Sequence, residues 1–170
     1  MKKIIFTLTI LIMSFAIFAQ KFAYVDSDYI LKNIPAYEAA QAQLDQMSVE
    51  WQKEIEALYA EIDKLYKDYQ AEKVLLTEEM KTKREDEIIK KEKDAKDIQK
   101  KYFGKEGELY KKRQELIKPL QDDVFNAVRE IATEGNYATI FDTAGGLTML
   151  YTDPKYDRSD EVLEKLGYKN

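Results

Sequence analysis

The chain has 170 residues, room for one domain and an appendage, with 35% charged side chains and a mean hydropathy of −0.54. It contains neither cysteine nor histidine, which excludes disulfides, thiolate nucleophiles, thiolate zinc sites and the commonest general base. Its 27 basic and 32 acidic residues give a net charge of −5, and six glycines with three prolines are too few for a many-stranded sandwich or barrel.

Lys2 and Lys3 open the chain, followed by an apolar run of about fifteen residues from Ile4 to Phe18. A bilayer-spanning helix needs about twenty. With small Ala19 before Gln20, residues 1–19 read as a secretory signal peptide cleaved after Ala19, leaving no stable membrane anchor. Losing Lys2 and Lys3 leaves 25 basic against 32 acidic residues, a net charge of −7. Such a surface does not suit phosphate neutralisation, so no nucleic-acid partner is expected.

Phe22-Ala23-Tyr24-Val25-Asp26 is aromatic and β-branched and predicts a strand. Tyr29-Ile30-Leu31 begins a helical turn, and Pro35 suits the first turn of the next helix. Residues 36–76 carry no glycine or proline, a run that predicts a helix of about 60 Å. Leu44, Met47, Trp51, Ile55, Leu58, Ile62, Leu65 and Tyr69 recur at steps of three and four, the pattern of a coiled-coil seam. One extra four-step, from Trp51 to Ile55, relaxes the supercoil locally.

The chain reverses near Leu76-Thr77, where Thr77 can cap a second helix and Glu78 and Glu79 favour its first turn. That helix is expected to run continuously from Glu78 to about Glu134, although Gly104 and Gly107 weaken it by about 1 kcal/mol each. Residues 38–80 hold 4 basic and 11 acidic side chains, whereas residues 81–118 hold 14 and 9. Opposite net charges favour folding the two arms against each other. Reflection about Thr77 places Tyr37 opposite Ile117, next to the break expected at Pro119.

Beyond Pro119, Leu120, Val124, Val128 and Ile131 form a denser apolar face. Tyr137-Ala138-Thr139-Ile140-Phe141 and Leu147-Thr148-Met149-Leu150-Tyr151 predict two more strands around an Asp142–Gly146 turn. Ser159-Asp160-Glu161 can start a last short helix. The expected fold class is therefore α+β and mostly α. A long antiparallel helical hairpin, residues 36–118, stands on a small β-containing body of residues 20–35 and 119–170. Strands near 22–26, 137–141 and 147–151 make a core too small to stand alone, so the body is expected to oligomerise.

No catalytic or metal constellation emerges, and no cofactor is expected. Asp122 and Asp123 are helix neighbours and do not face each other, and the Asp142–Gly146 turn lacks the lysine of a phosphate loop. Tyrosine, by contrast, occurs twelve times. Tyr59 and Tyr66 adjoin seam residues Leu58 and Leu65, and Phe103 and Tyr110 adjoin Tyr102 and Leu109. Such a stripe is either a widened hairpin interface or an amphipathic wall for unfolded apolar segments.

The chain resembles the Skp/OmpH family of periplasmic chaperones. The resemblance rests on Phe22-Ala23-Tyr24-Val25-Asp26-Ser27, Ile34-Pro35-Ala36-Tyr37, Leu76-Thr77-Glu78-Glu79 and Leu116-Ile117-Lys118-Pro119-Leu120, with the 137–141 strand and Asp160-Glu161-Val162-Leu163-Glu164-Lys165-Leu166. It implies a homotrimer with an intersubunit β-barrel and helical arms around a cavity, in the periplasm of a Gram-negative-type bacterium. It also implies ATP-independent holding of unfolded outer-membrane β-barrel proteins; in the reading of the aromatic stripe as a wall, Tyr59, Tyr66, Phe103 and Tyr110 are the candidate client contacts. The competing expectation is a structural or adaptor coiled coil that binds one folded envelope partner. The acidic net charge departs from the basic surface usual in the family.

Overall fold

The computed structural model of the protein describes residues 20–168 apart from Leu147. The expected signal peptide lies outside the described residues. The chain divides into two compact units: its two ends, up to Ile30 and from Val124 onward, form one, and Leu31–Asp123 forms the other. Along the chain the elements are β1 (Lys21–Val25), α1 (Ser27–Lys32), α2 (Pro35–Glu72), α3 (Glu78–Phe103), α4 (Glu108–Leu116), α5 (Lys118–Glu134), β2 (Tyr137–Asp142), a 3₁₀ turn (Pro154–Tyr156) and α6 (Ser159–Lys165).

The central unit is an antiparallel helical hairpin. Helix α2 has 38 residues, about 57 Å of rise. Pro35 enters at its first turn, where a missing N–H costs nothing. Seam residues Leu44, Ile55, Ile62 and Tyr69 are buried, while Met47, Trp51, Leu58 and Leu65 are half-buried. Thr77 starts the return helix α3, its hydroxyl accepting the Met80 N–H at 3.3 Å. Ile62, Tyr69, Ile88 and Ala95 form one cluster, with Leu58, Leu65 and Leu76 against it. A second cluster joins Ala40, Leu44 and Ile117, with Tyr37, Leu109 and Leu116 beside them.

The return arm is not the continuous helix its sequence predicts. It breaks at residues 104–107 and again at Ile117. Gly104 ends α3, its N–H donating to the Lys100 carbonyl at 2.8 Å before the backbone turns extended. A Cβ on Gly104 would run into that Lys100 carbonyl oxygen, and one on Gly107 would lie 2.7 Å from the Tyr102 carbonyl oxygen. The break is thus a close approach of backbone to backbone that only glycine permits. The propensity cost of two glycines understates it, because propensity counts entropy and not this approach.

In the other unit β1 and β2 pair in parallel, with Phe22 opposite Thr139 and Val25 opposite Asp142. Ala23, Val25, Ile30, Val124, Ala127, Ile131, Val162 and Leu163 are its buried apolar residues. Three side chains stitch it together. Asp26 caps α1, accepting the Tyr29 N–H at 2.9 Å. Asp142 accepts from both the N–H (3.1 Å) and the hydroxyl (2.7 Å) of Ser27. Buried Ser159 accepts the Asp26 N–H at 2.9 Å and donates to Asp157 Oδ1 at 2.6 Å.

The strand expected at 147–151 does not form over the described residues 148–151, which are irregular, with Leu150 98% and Tyr151 82% exposed. An apolar run becomes a strand only where a neighbour completes its ladder. Here β1 takes β2 on one side and bridges through Tyr24 to Asp157 on the other, with the Arg158 N–H donating to the Tyr24 carbonyl at 2.9 Å, and residues 148–151 pair with neither strand.

Candidate functional site

The hairpin carries the candidate aromatic residues, and its seam uses some aromatic side chains and leaves others out. Contacts across the arms run in opposite senses: Glu54 with Tyr102 (2.9 Å), Tyr59 with Gln99 (3.4 Å), Glu61 with Lys91 (2.8 Å), Glu72 with Arg84 (3.5 Å). In an antiparallel pair, positions one residue beyond a seam position on either helix fall on the same flank. Tyr59 and Tyr66 follow Leu58 and Leu65; Ile89, Gln99 and Phe103 follow Ile88, Ile98 and Tyr102. The Tyr59–Gln99 contact joins two such positions.

The opposite flank is polar. It holds Glu61–Lys91 and Glu72–Arg84, with the Tyr102 hydroxyl donating to Glu54. The bond to Glu54 holds the Tyr102 hydroxyl above its ordinary pKa, and the bond to Glu61 raises that of Lys91. Individually such exposed pairs contribute under about 1 kcal/mol. Together they occupy this flank with satisfied polar groups.

Of the four aromatic residues expected to matter, Tyr59 is 38% exposed, Tyr66 52% and Tyr110 49%. Phe103 is half-buried, its ring edge-on to Trp51 at 6.3 Å. Phe103 and Tyr110 meet in one shallow depression beside the glycine break. Tyr59 sits farther along the arm, and Tyr66 closer to the tip. The aromatic residues that close the seam are others: Trp51 stacks on Tyr102, and Tyr69 is buried with its hydroxyl donating to Glu85.

Three exposed apolar residues lie outside the expected contact set: Ile89, 62% exposed on the same flank, and Val74 and Leu75, 91% and 87% exposed in the turn at the tip. Ile89 was recoverable from its position one residue past Ile88. Val74 and Leu75 fall at the reversal, where the seam period has ended and no spacing marks an exposed apolar side chain. Among the described residues no helix is long and apolar enough to cross a membrane.

The model of the OmpH-like outer membrane protein family matches residues 21–166. A crystal structure of an OmpH-like outer membrane chaperone candidate from Caulobacter crescentus CB15 is similar in fold, with a TM-score of 0.67 at 12% identity. The match covers 87% of this chain and 84% of that one. No curated protein matches the chain significantly.

Proposed function

The chain belongs to the OmpH-like outer membrane protein family, and from that premise we propose that it is an ATP-independent periplasmic holdase for unfolded outer-membrane β-barrel proteins. The observation that carries the reading is the division of the hairpin into two flanks, one closed by ion pairs and one lined by Tyr59, Tyr66, Ile89 and Phe103. Aromatic rings spaced along an arm give contact area to any unfolded segment without demanding a fixed sequence. Holding by such contacts needs no covalent step, consistent with a chain that has no histidine or cysteine.

The working form in this reading is a homotrimer whose bodies share an intersubunit β-barrel and whose arms enclose the client. Two features of the body support it. Its sheet has only two strands, too few to be independently stable without covering packing. Its surface also carries Phe22 and Phe141, stacked at 6.4 Å and 48% and 39% exposed, at a groove of about 740 Å³ shared with Met149 and Tyr151. Residues 148–151 become a strand in this reading only when another subunit supplies their partner.

Dilution of a denatured outer-membrane porin into buffer containing the mature protein tests the function. Turbidity is suppressed without ATP, and the porin comigrates with the protein. Unchanged turbidity with no complex overturns the reading. Crosslinking that captures one folded envelope partner and no unfolded porin establishes the adaptor instead.

A further inference from the structure

The depression beside the glycine break differs in charge from the rest of the aromatic flank. Phe103, Gly104, Lys105, Leu109, Tyr110 and Arg113 line it. Phe103, Leu109 and Tyr110 supply an apolar wall. Lys105 and Arg113 supply two positive charges, both exposed. Among the described residues neither takes part in an ion pair or a side-chain hydrogen bond, in contrast to their neighbours. Glu108 is held by Lys111 at 3.0 Å and Glu115 by Lys112 at 2.7 Å, so the nearest carboxylates of α4 are already engaged. Glu106 lines the adjoining depression instead.

We propose that this depression is a subsite for acidic–apolar segments of an unfolded client, with a carboxylate on Lys105 and Arg113 and the neighbouring aromatic or aliphatic side chain against Phe103, Leu109 and Tyr110. The inference rests on the holdase reading and gives it a substrate preference. Charge complementarity selects the occupant: the guanidinium fork and the ammonium both match a carboxylate, and an apolar wall a few ångströms away matches its chain neighbour. The net charge of −7 on residues 20–170 does not oppose this at physiological salt. Screening confines charge effects to about 8 Å, so the two local cations decide. A client segment in extended form presents consecutive side chains to opposite sides, which lets an acid and an apolar residue reach the two walls together.

The test uses the full mature chain and two labelled, unstructured peptides of tyrosine, glycine, serine and either aspartate or asparagine. Fluorescence anisotropy is expected to show about fivefold tighter binding of the aspartate peptide, from two exposed charge contacts. The preference shrinks with added salt and disappears in Lys105→Gln/Arg113→Gln, while Lys105→Arg/Arg113→Lys keeps it. Suppression of porin aggregation persists in the glutamine variant, because the Tyr59 and Tyr66 stretch is untouched. Equal binding of the two peptides by a protein that still holds porin overturns the subsite and leaves the holdase intact. Failure to hold porin or bind either peptide overturns both. Binding of anionic phospholipid vesicles through Lys105 and Arg113, with no peptide preference, assigns the cations to a lipid surface and overturns the proposal.

Discussion

Trp51 lies flat on Tyr102, ring centroids 4.7 Å apart and planes within 2° of parallel, two residues before the return arm breaks at Gly104. Trp51 is also the residue at which the seam takes its extra four-residue step. The two irregularities face each other across the hairpin. The large ring at that step packs on the last turn of α3, where the partner helix stops. Phe103 closes the group edge-on.

Replacing Trp51 by alanine removes both aromatic contacts at once. Trp51 is half-buried, so the expected loss is about 2–3 kcal/mol, below the range for a fully buried aromatic residue. Tyr102→Phe keeps the stack and loses only an exposed hydroxyl contact with Glu54, and it should change stability by well under 1 kcal/mol. Urea unfolding followed by circular dichroism measures both. Because Trp51 is the only tryptophan, its emission in the Tyr102 variants reports this site alone.

The seam was legible in the sequence because a coiled-coil period is local: Leu44, Ile55, Ile62 and Tyr69 are buried where the spacing places them. So was the opposition of an acidic and a basic arm, although the pairing of Glu61 with Lys91 depends on helix phase across the reversal. The break at Gly104 and Gly107 was visible as weak helix but not as a stop, because its cause is how closely two backbone segments approach. The parallel pairing of Ala23 with Ile140 joins residues more than a hundred positions apart, and no local pattern encodes it. For the same reason the apolar run at 148–151 misled: its composition is that of a strand, but strands are made by partners. The candidate aromatic residues were legible as a set, whereas their division between seam and flank emerged only once Trp51, Tyr69 and Tyr102 were seen to fill the seam.

Near the tip, Tyr69 gives the hairpin a pH dependence of definite sign. The hydrogen bond to Glu85, then burial and the charges of Glu85 and Glu78, push the Tyr69 hydroxyl up to about 12. A group whose pKa is raised by folding contributes stability below its unfolded pKa, about 10, and loses it as pH climbs through the folded value. The protein should therefore lose helical signal between about pH 10 and about pH 12 more steeply than Tyr69→Phe, which keeps the buried ring and has no proton to lose. Circular dichroism across that window checks it, and identical profiles for the two proteins would disprove the linkage.

Ser159 is 2% exposed and is the hydroxyl on which Asp26 and Asp157 converge. Ser159→Ala leaves the Asp26 N–H without its acceptor and removes one of the two hydrogen bonds to Asp157 Oδ1, which keeps the Ser159 N–H at 2.9 Å. The expected cost is about 1–3 kcal/mol, large for the removal of one oxygen. Asp28→Asn, a charge change in the first turn of α1 close in sequence, should cost well under 1 kcal/mol. Thermal unfolding of the two variants separates the buried bond from a general sensitivity of this segment.

Adjacent residues on α2 should fail in opposite ways. Leu58 and Leu65 pack against the cluster of Ile62, Tyr69, Ile88 and Ala95, whereas Tyr59 and Tyr66 stand beside it and are 38% and 52% exposed. Leu58→Ser/Leu65→Ser puts two polar groups into the seam and removes two apolar side chains, at an expected cost of several kcal/mol. Helicity falls first, and porin holding is lost with it. Tyr59→Ser/Tyr66→Ser leaves the seam closed, so helicity and urea midpoint stay within about 1 kcal/mol of the parent. Each tyrosine ring nonetheless offers a contact worth about 1 kcal/mol to a bound chain, so retention of a denatured porin should weaken about tenfold or more. Adding Phe103→Ser and Tyr110→Ser deepens that loss. If the Tyr59/Tyr66 variant unfolds like the Leu58/Leu65 one, the flank is structural and the client wall lies elsewhere.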